Sequence, residues 1–122
     1  MILVDTNIVI EFLRGSPNAV SWLEALDERA ALSAISVMEL YAGARSRRDE
    51  RDIVALCHQF ACLPVGQQIG ERAGAIMRHF HKSHGMDIPD AIIAATAEHH
   101  GLRLATLNVK HFPMFPKLKR AY

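Results

Sequence analysis

The sequence is short of nearly everything that marks a protein for export, for a membrane or for a polyanion. Fourteen basic residues stand against thirteen acidic ones, a formal net charge of +1. No overall field therefore draws the chain to nucleic acid or lipid, and any such attraction must come from a local patch. There are only two cysteines, Cys57 and Cys62. No second pair completes a zinc pattern, and no basic region with a following apolar segment opens the chain as in a signal peptide. We expect a reduced thiol pair and a cytoplasmic protein. No apolar run approaches the ~18 residues that a bilayer span needs, so no membrane partner is expected. Repeats, linkers and low-complexity stretches are missing too. What remains is a chain of 122 residues, half of them hydrophobic. That suffices for one core and is too little for two, hence a single domain over 1–122.

The first stretch, Met1 to Asn7 (MILVDTN), sets the pattern. Ile2, Leu3 and Val4 form an unbroken apolar run, which suits a strand covered on both faces in a parallel sheet. Asp5 follows at once, at the carboxyl end of that strand, the edge where open α/β sheets bind ligands. Thr6 and Asn7 can cap a helix carrying Ile8, Val9, Phe12 and Leu13. Ser16-Pro17 starts another, with Val20, Trp22, Leu23 and Leu26 as its stripe. Ala30 to Ile35 reads as a second buried strand, and Ser36-Val37-Met38-Glu39 opens the helix after it. Ile53, Leu56, Cys57 and Phe60 recur at helical spacing. Cys62 to Val65 suits a short edge strand, because Pro64 cannot donate to a central ladder. A long helix runs from Ile69 to about His84 and is stopped by Gly85. Asp87 to Asp90 opens the next, with Ile88, Ala91, Ile92 and Ala95 as its apolar stripe and Gly101 at its close. Arg103 to Thr106 is the last strand. Strands alternating with helices predict an α/β domain, a mostly parallel central sheet flanked by helices in three layers.

Three carboxylates fall where strands hand over to helices: Asp5, Glu39 and Asp90. If the strands are parallel neighbours, all three point into one crevice. Helix N-termini there favour ionised acids by only ~0.3–1 kcal/mol each. Two like charges ~4 Å apart repel by ~4 kcal/mol at an effective dielectric of ~20. Repulsion wins, so either a proton stays on one acid or a cation sits among them. Hard oxygen ligands with room for water favour Mg²⁺ or Mn²⁺ over zinc. A cation on a few carboxylates is a common means of phosphodiester hydrolysis, because it acidifies bound water and screens charge at phosphorus. The competing reading is local. Ser36-x-x-Glu39 and Asp87-x-x-Asp90 both have the form of helix caps. Asp5 resists that explanation, since an acid directly after a buried strand brings no packing.

At these residues the chain resembles a known family. MILVDTN at 1–7, Ser36 to Leu40, Asp90 to Ala97 and Ala105 to Asn108 resemble the PIN domain, and more narrowly the VapC toxins of bacterial VapBC toxin–antitoxin pairs. Each motif is short, but their order and spacing over nearly the whole chain are specific. The resemblance implies a PIN-like fold and a Mg²⁺- or Mn²⁺-dependent endoribonuclease. Asp5 and Asp90 match the metal-binding aspartates and Glu39 the central acid. It also implies a homodimer and silencing by a cognate VapB-type antitoxin that inserts into or covers the active groove. One departure stands out. The family often carries an aspartate near the end of its last motif, where this chain has His111 in Thr106-Leu107-Asn108-Val109-Lys110-His111. A fourth acidic ligand is thus missing. Asn108 is the candidate to bind the water network through its amide, and Thr106 to steady Asp5. Thr6, Asp87 and His111 are lesser candidates, Asp87 chiefly as the cap of its helix.

Other features have plainer readings. His79, His81, His84, His99 and His100 align with no carboxylate or cysteine and read as solvated helix faces. Arg45, Arg47, Arg48 and Arg51 either hold RNA phosphates near Glu39 or form a solvated turn with Asp49 and Glu50. Phe12, Trp22 and Leu23 carry more apolar bulk than a small core needs, which predicts a binding face for a second subunit or an antitoxin helix. A phosphoryl-accepting receiver domain also places an aspartate after its first strand. It needs an early acidic pair, a central acceptor and a lysine ending the last strand, and none is placed correctly here. A PIN-like module that binds RNA or a partner without cutting, hinted at by His111, and a PIN-type nuclease acting on DNA are the remaining alternatives.

Overall fold

A computed structural model describes the whole chain, Met1 to Tyr122. Its elements alternate as the sequence predicts: β1 (Ile2–Val4), α1 (Thr6–Leu13), α2 (Pro17–Glu24), β2 (Ala30–Ser33), α3 (Ala34–Ala42), α4 (Arg47–Gln59), β3 (Ala61–Leu63), α5 (Gln67–His84), α6 (Ile88–His100) and β4 (Arg103–Ala105), with a short 3₁₀ turn at Val109–His111. All strand pairs are parallel and the sheet order is β3-β2-β1-β4.

This is the three-layer α/β/α arrangement. Side chains alternate across a strand, so β1, β2 and β4 each feed two cores. Leu3, Ala31 and Leu104 pack toward Ile69, Ile76, Ile93 and Phe112 on the side of α5 and α6. Ile2, Val4, Leu32 and Ala105 pack toward Ile8, Val9, Leu40, Ile53 and Leu56 on the side of α1, α3 and α4. From β1 the chain steps outward to β2 and β3, then crosses back to lay β4 on the other flank of β1. The reversal opens a crevice between the carboxyl ends of β1 and β4, where open sheets bind ligands.

Several boundaries differ from the sequence reading. Asp5, not Thr6 or Asn7, holds the N-cap position of α1. Strand β2 stops at Ser33, and Ser33 rather than Ser36 caps α3, its hydroxyl accepting from the Ile35 amide. Glu39 therefore lies in the second turn of α3, and the capping-box reading of Ser36 and Glu39 falls. The edge strand is Ala61–Leu63, and Pro64 follows it. The stripe of α6 also shifts. Ile88 is 64% exposed, while Ala91 and Ile93 through Ala97 are buried. This helix lies between α5 and the sheet, so its alanines are covered nearly all round and no single stripe survives. The Phe12, Trp22 and Leu23 side chains are half-buried against the α1–α4 core instead of forming an open face. Exposed apolar side chains sit elsewhere, at Met38, Tyr41, Val54 and Ile88.

Candidate active site

Asp5 leaves the sheet between two neighbours. Its amide donates to the Ala105 carbonyl at 2.9 Å. Its Oδ2 accepts from the Thr106 hydroxyl at 2.7 Å. Thr106 in turn accepts from the Asn108 amide at 3.0 Å. Both side chains are buried. Burial pushes the Asp5 carboxyl up and Asp87 pushes the same way, while Thr106, the Thr6 backbone and His111 pull it down. The net direction is upward.

The next residue reaches the second acid. Thr6 Oγ1 lies 2.8 Å from Ser36 Oγ and 2.9 Å from Glu39 Oε1. A hydroxyl has one proton to give, and an ionised carboxylate only accepts. Thr6 thus donates to Glu39 and accepts from Ser36. Ser36 and Glu39 are three residues apart on α3, so they share a helix face. Read from sequence, this spacing meant a cap; in the fold it ties α3 to the end of β1. Burial raises the Glu39 carboxyl, and the Asp5 and Asp87 charges add to that.

The third acid comes from the start of α6. Asp87 Oδ1 caps the helix by accepting from the Asp90 amide at 3.1 Å. Asp90 is mostly buried, and its carboxyl is pushed up to about 7 by burial, then by Asp87 and Asp5. Its Oδ2 is buried with no hydrogen-bond partner. His111 Nδ1 stands 3.2 Å from that same oxygen as a charge contact without hydrogen-bond alignment. Buried polar atoms are usually satisfied, and here the protein's own groups supply no hydrogen bond to this oxygen.

Asp5 and Asp87 act on both Glu39 and Asp90 through their charge, although these acids come from three places in the chain, the end of β1, α3 and the start of α6. No three histidine, cysteine, aspartate or glutamate side chains enclose an ion by themselves. The arrangement fits a hydrated hard cation that takes one or two carboxylates and keeps several waters. Asn108 is not among the acids. It lines a neighbouring groove with Asn7, Ile10, Glu11, Arg14, Leu107 and Arg120, and its side-chain amide bonds to none of the acids. The sequence reading missed Ser36 as a partner of Thr6 and missed Arg14 altogether. The basic run at 45–51 spans the entry to α4 and its first turns, where Asp49 Oδ2 accepts from the Arg45 amide at 2.9 Å. Below it, Glu39, Leu40, Arg14, Asp49, Asp52 and Ile53 line a cavity of about 170 Å³. Among the histidines, His81 Nδ1 meets the Met86 carbonyl at 3.0 Å, a tie that holds the turn before α6.

Comparison with known proteins agrees with this fold. The PIN domain family matches residues 2–117. The chain is 43% identical to ribonuclease VapC10 of Mycobacterium tuberculosis, covering 98% of this chain and 91% of that protein. It is 39% identical to ribonuclease VapC19 of the same organism, covering all of both. Among solved structures it is similar to a toxin–antitoxin complex from Klebsiella pneumoniae. That likeness has a TM-score of 0.85 at 34% identity, with 100% of this chain and 98% of the other covered.

Proposed function

Because the chain belongs to the PIN-domain family and within it to the VapC group, we propose that it is an RNA-cleaving toxin that requires Mg²⁺ or Mn²⁺ and is silenced by a VapB-type antitoxin. The observation that carries this reading is the buried, unpartnered Asp90 Oδ2 amid acids drawn from distant parts of the chain. An uncompensated cluster of this kind is costly unless one acid keeps a proton or a cation joins it, and the cation is the solution that leaves the acids free for chemistry. Asp5 and Asp90 would hold the cation. Once bound, it would supply a water acidic enough to attack phosphorus and would screen the charge that builds there.

The chain's own groups then divide the work. Thr106 fixes the rotamer of Asp5 through the 2.7 Å bond. Thr6, backed by Ser36, fixes Glu39. Glu39 accepts the proton of the attacking water, and its raised carboxyl makes it a better acceptor than an exposed glutamate. His111 faces the scissile phosphate or its leaving oxygen from the side of Asp90. The antitoxin, and a second copy of the chain, would cover the apolar surface at Met38, Tyr41, Val54 and Ile88. No helix is long and apolar enough to cross a membrane.

One observation favours a second reading. The His111 contact places the residue that replaces the usual fourth acid directly against Asp90. Its charge offsets part of the cluster at Asp5, as a module that binds RNA without cutting would allow. Partner-free protein incubated with total RNA separates the two. Cleavage that EDTA stops and Mg²⁺ restores is expected; RNA binding with no cleavage under any divalent ion would select the module.

A further inference from the structure

Alongside the acids runs a groove of about 290 Å³ lined by Asn7, Ile10, Glu11, Arg14, Leu107, Asn108 and Arg120. Part of its wall comes from the segments that follow Asp5 and Thr106. Asn7 is two residues beyond Asp5, and Asn108 two beyond Thr106. Ile10 and Arg14 also border the cavity that contains Glu39, so the two depressions meet across α1.

Two features give this groove a ligand preference. Neither Arg14 nor Arg120 takes part in a salt bridge. Arg120 Nε donates to the Tyr122 carbonyl at 3.2 Å, which leaves its two terminal nitrogens free. The one acid in the lining, Glu11, accepts from the Tyr122 hydroxyl and is held by it. The groove therefore presents two guanidinium groups and two side-chain amides, and its acceptors are already engaged, Glu11 by the Tyr122 hydroxyl and the Tyr122 main-chain oxygen by Arg120. The tail bearing Arg120 is also fixed in place. The Ala121 amide donates to the Thr106 carbonyl at 2.9 Å, and the Tyr122 ring packs near Trp22 at a centroid distance of 6.2 Å. Arg120 is thus anchored through Thr106, the residue that also holds Asp5.

We propose that this groove is a phosphate subsite for single-stranded RNA, in which Arg14 and Arg120 grip the backbone next to the phosphate being cut. Guanidinium forks match phosphate oxygens in pairs, and Asn7 and Asn108 can bond the sugar or the base edge beside them. The inference rests on the nuclease reading of the neighbouring acids.

The test is binding of a short fluorescein-labelled single-stranded RNA, by polarisation against KCl concentration, in an Asp5→Asn background that does not cut. Arg14→Gln with Arg120→Gln is expected to weaken binding at least tenfold. It should also lower the slope of log affinity against log salt by ~0.7 if the two share one phosphate, or ~1.4 if each holds its own. Arg14→Lys with Arg120→Lys keeps the slope while losing part of the affinity, which separates lost charge from lost folding. Lys117→Gln, another tail cation that lines a different groove beside β4, leaves both unchanged. With Asp5 restored, the double glutamine variant should raise KM more than it lowers kcat. Unchanged affinity and slope in that variant, with the parent still cutting RNA, would overturn the subsite and leave the nuclease. Lost binding in a parent that never cuts would keep the subsite and remove the nuclease. A parent that neither binds nor cuts RNA would overturn both.

Discussion

Thr106 donates to Asp5 across 2.7 Å although the two are 101 residues apart in the chain. They meet because β1 and β4 are parallel neighbours in register, Val4 opposite Ala105. The last strand thus delivers a hydroxyl to the first acid. Thr106→Val keeps the shape but leaves Asp5 and the Asn108 amide short of a partner. We expect a loss of ~1–3 kcal/mol in stability and about a tenfold fall in kcat through a looser Asp5. Thr106→Ser should recover most of both. Thermal melting and RNA cleavage measured side by side check this; a valine variant with parental kcat would leave Thr106 a packing residue.

The acids should separate by role. Asp5→Asn or Asp90→Asn is expected to cut RNA at least ~100-fold more slowly and to lose Mg²⁺ binding by calorimetry. Glu39→Gln should keep Mg²⁺ binding but lose kcat to a similar degree, because it gives up a proton acceptor and not a primary ligand. All three should melt at or above the parental temperature without metal, since each removes a charge from a repelling cluster. Cleavage by Asp5→Asn at the parental rate would end the mechanism.

Asp90 makes the metal-free protein sensitive to pH in a definite direction. Its carboxyl sits at about 7 in the fold, well above its value of ~3.9 in an unfolded chain. Between those values the native state keeps a proton that the unfolded state has released. Its contribution to stability is therefore full below the lower value and is lost as pH rises toward the upper one. Asp90→Asn should remove that slope, so the variant's advantage over the parent grows from near zero at pH 4 to ~2–4 kcal/mol at pH 8. Mg²⁺ must displace the same proton, so its affinity should climb with pH up to about 7 and then level off. Urea melts at several pH values, with and without Mg²⁺, measure both effects.

The residues that organise the site were readable from local pattern; their contacts were not. Asp5 stood out because it follows three apolar residues that β1 buries on both faces. Asp87 was legible as a cap, and its Oδ1 does accept from the Asp90 amide. Ser36 was misread. The same three-residue spacing to Glu39 serves a capping box or a shared helix face, and only the point where β2 stops decides between them. The α6 stripe failed for a related reason: periodicity assumes one wet face, and a helix packed between α5 and the sheet has almost none. Arg14 left no local signal, and Arg120 showed only as one cation of a basic tail with Lys117 and Lys119. They come to one groove through the tail's bond to Thr106, a contact between residues that no spacing rule links.

His111 offers the sharpest test of the cation. It stands 3.2 Å from the buried oxygen of Asp90 and lowers the Asp5 carboxyl by its charge. Replacing it by aspartate exchanges a group that lowers the Asp5 carboxyl for a negative charge in a cluster that already holds four acids. Without metal, the added repulsion should destabilise His111→Asp by ~1–3 kcal/mol and raise the Asp90 carboxyl further. With metal, the extra ligand should reverse the order, tightening Mg²⁺ about tenfold, the equivalent of ~1.4 kcal/mol. The melting curves of parent and variant should therefore cross as Mg²⁺ is added: variant below parent at first, variant above parent at saturation. His111→Ala gives only the first half of the effect, a smaller apo shift with no gain in Mg²⁺ affinity. A His111→Asp protein that melts lower than the parent at every Mg²⁺ concentration would mean that no cation is shared between positions 90 and 111.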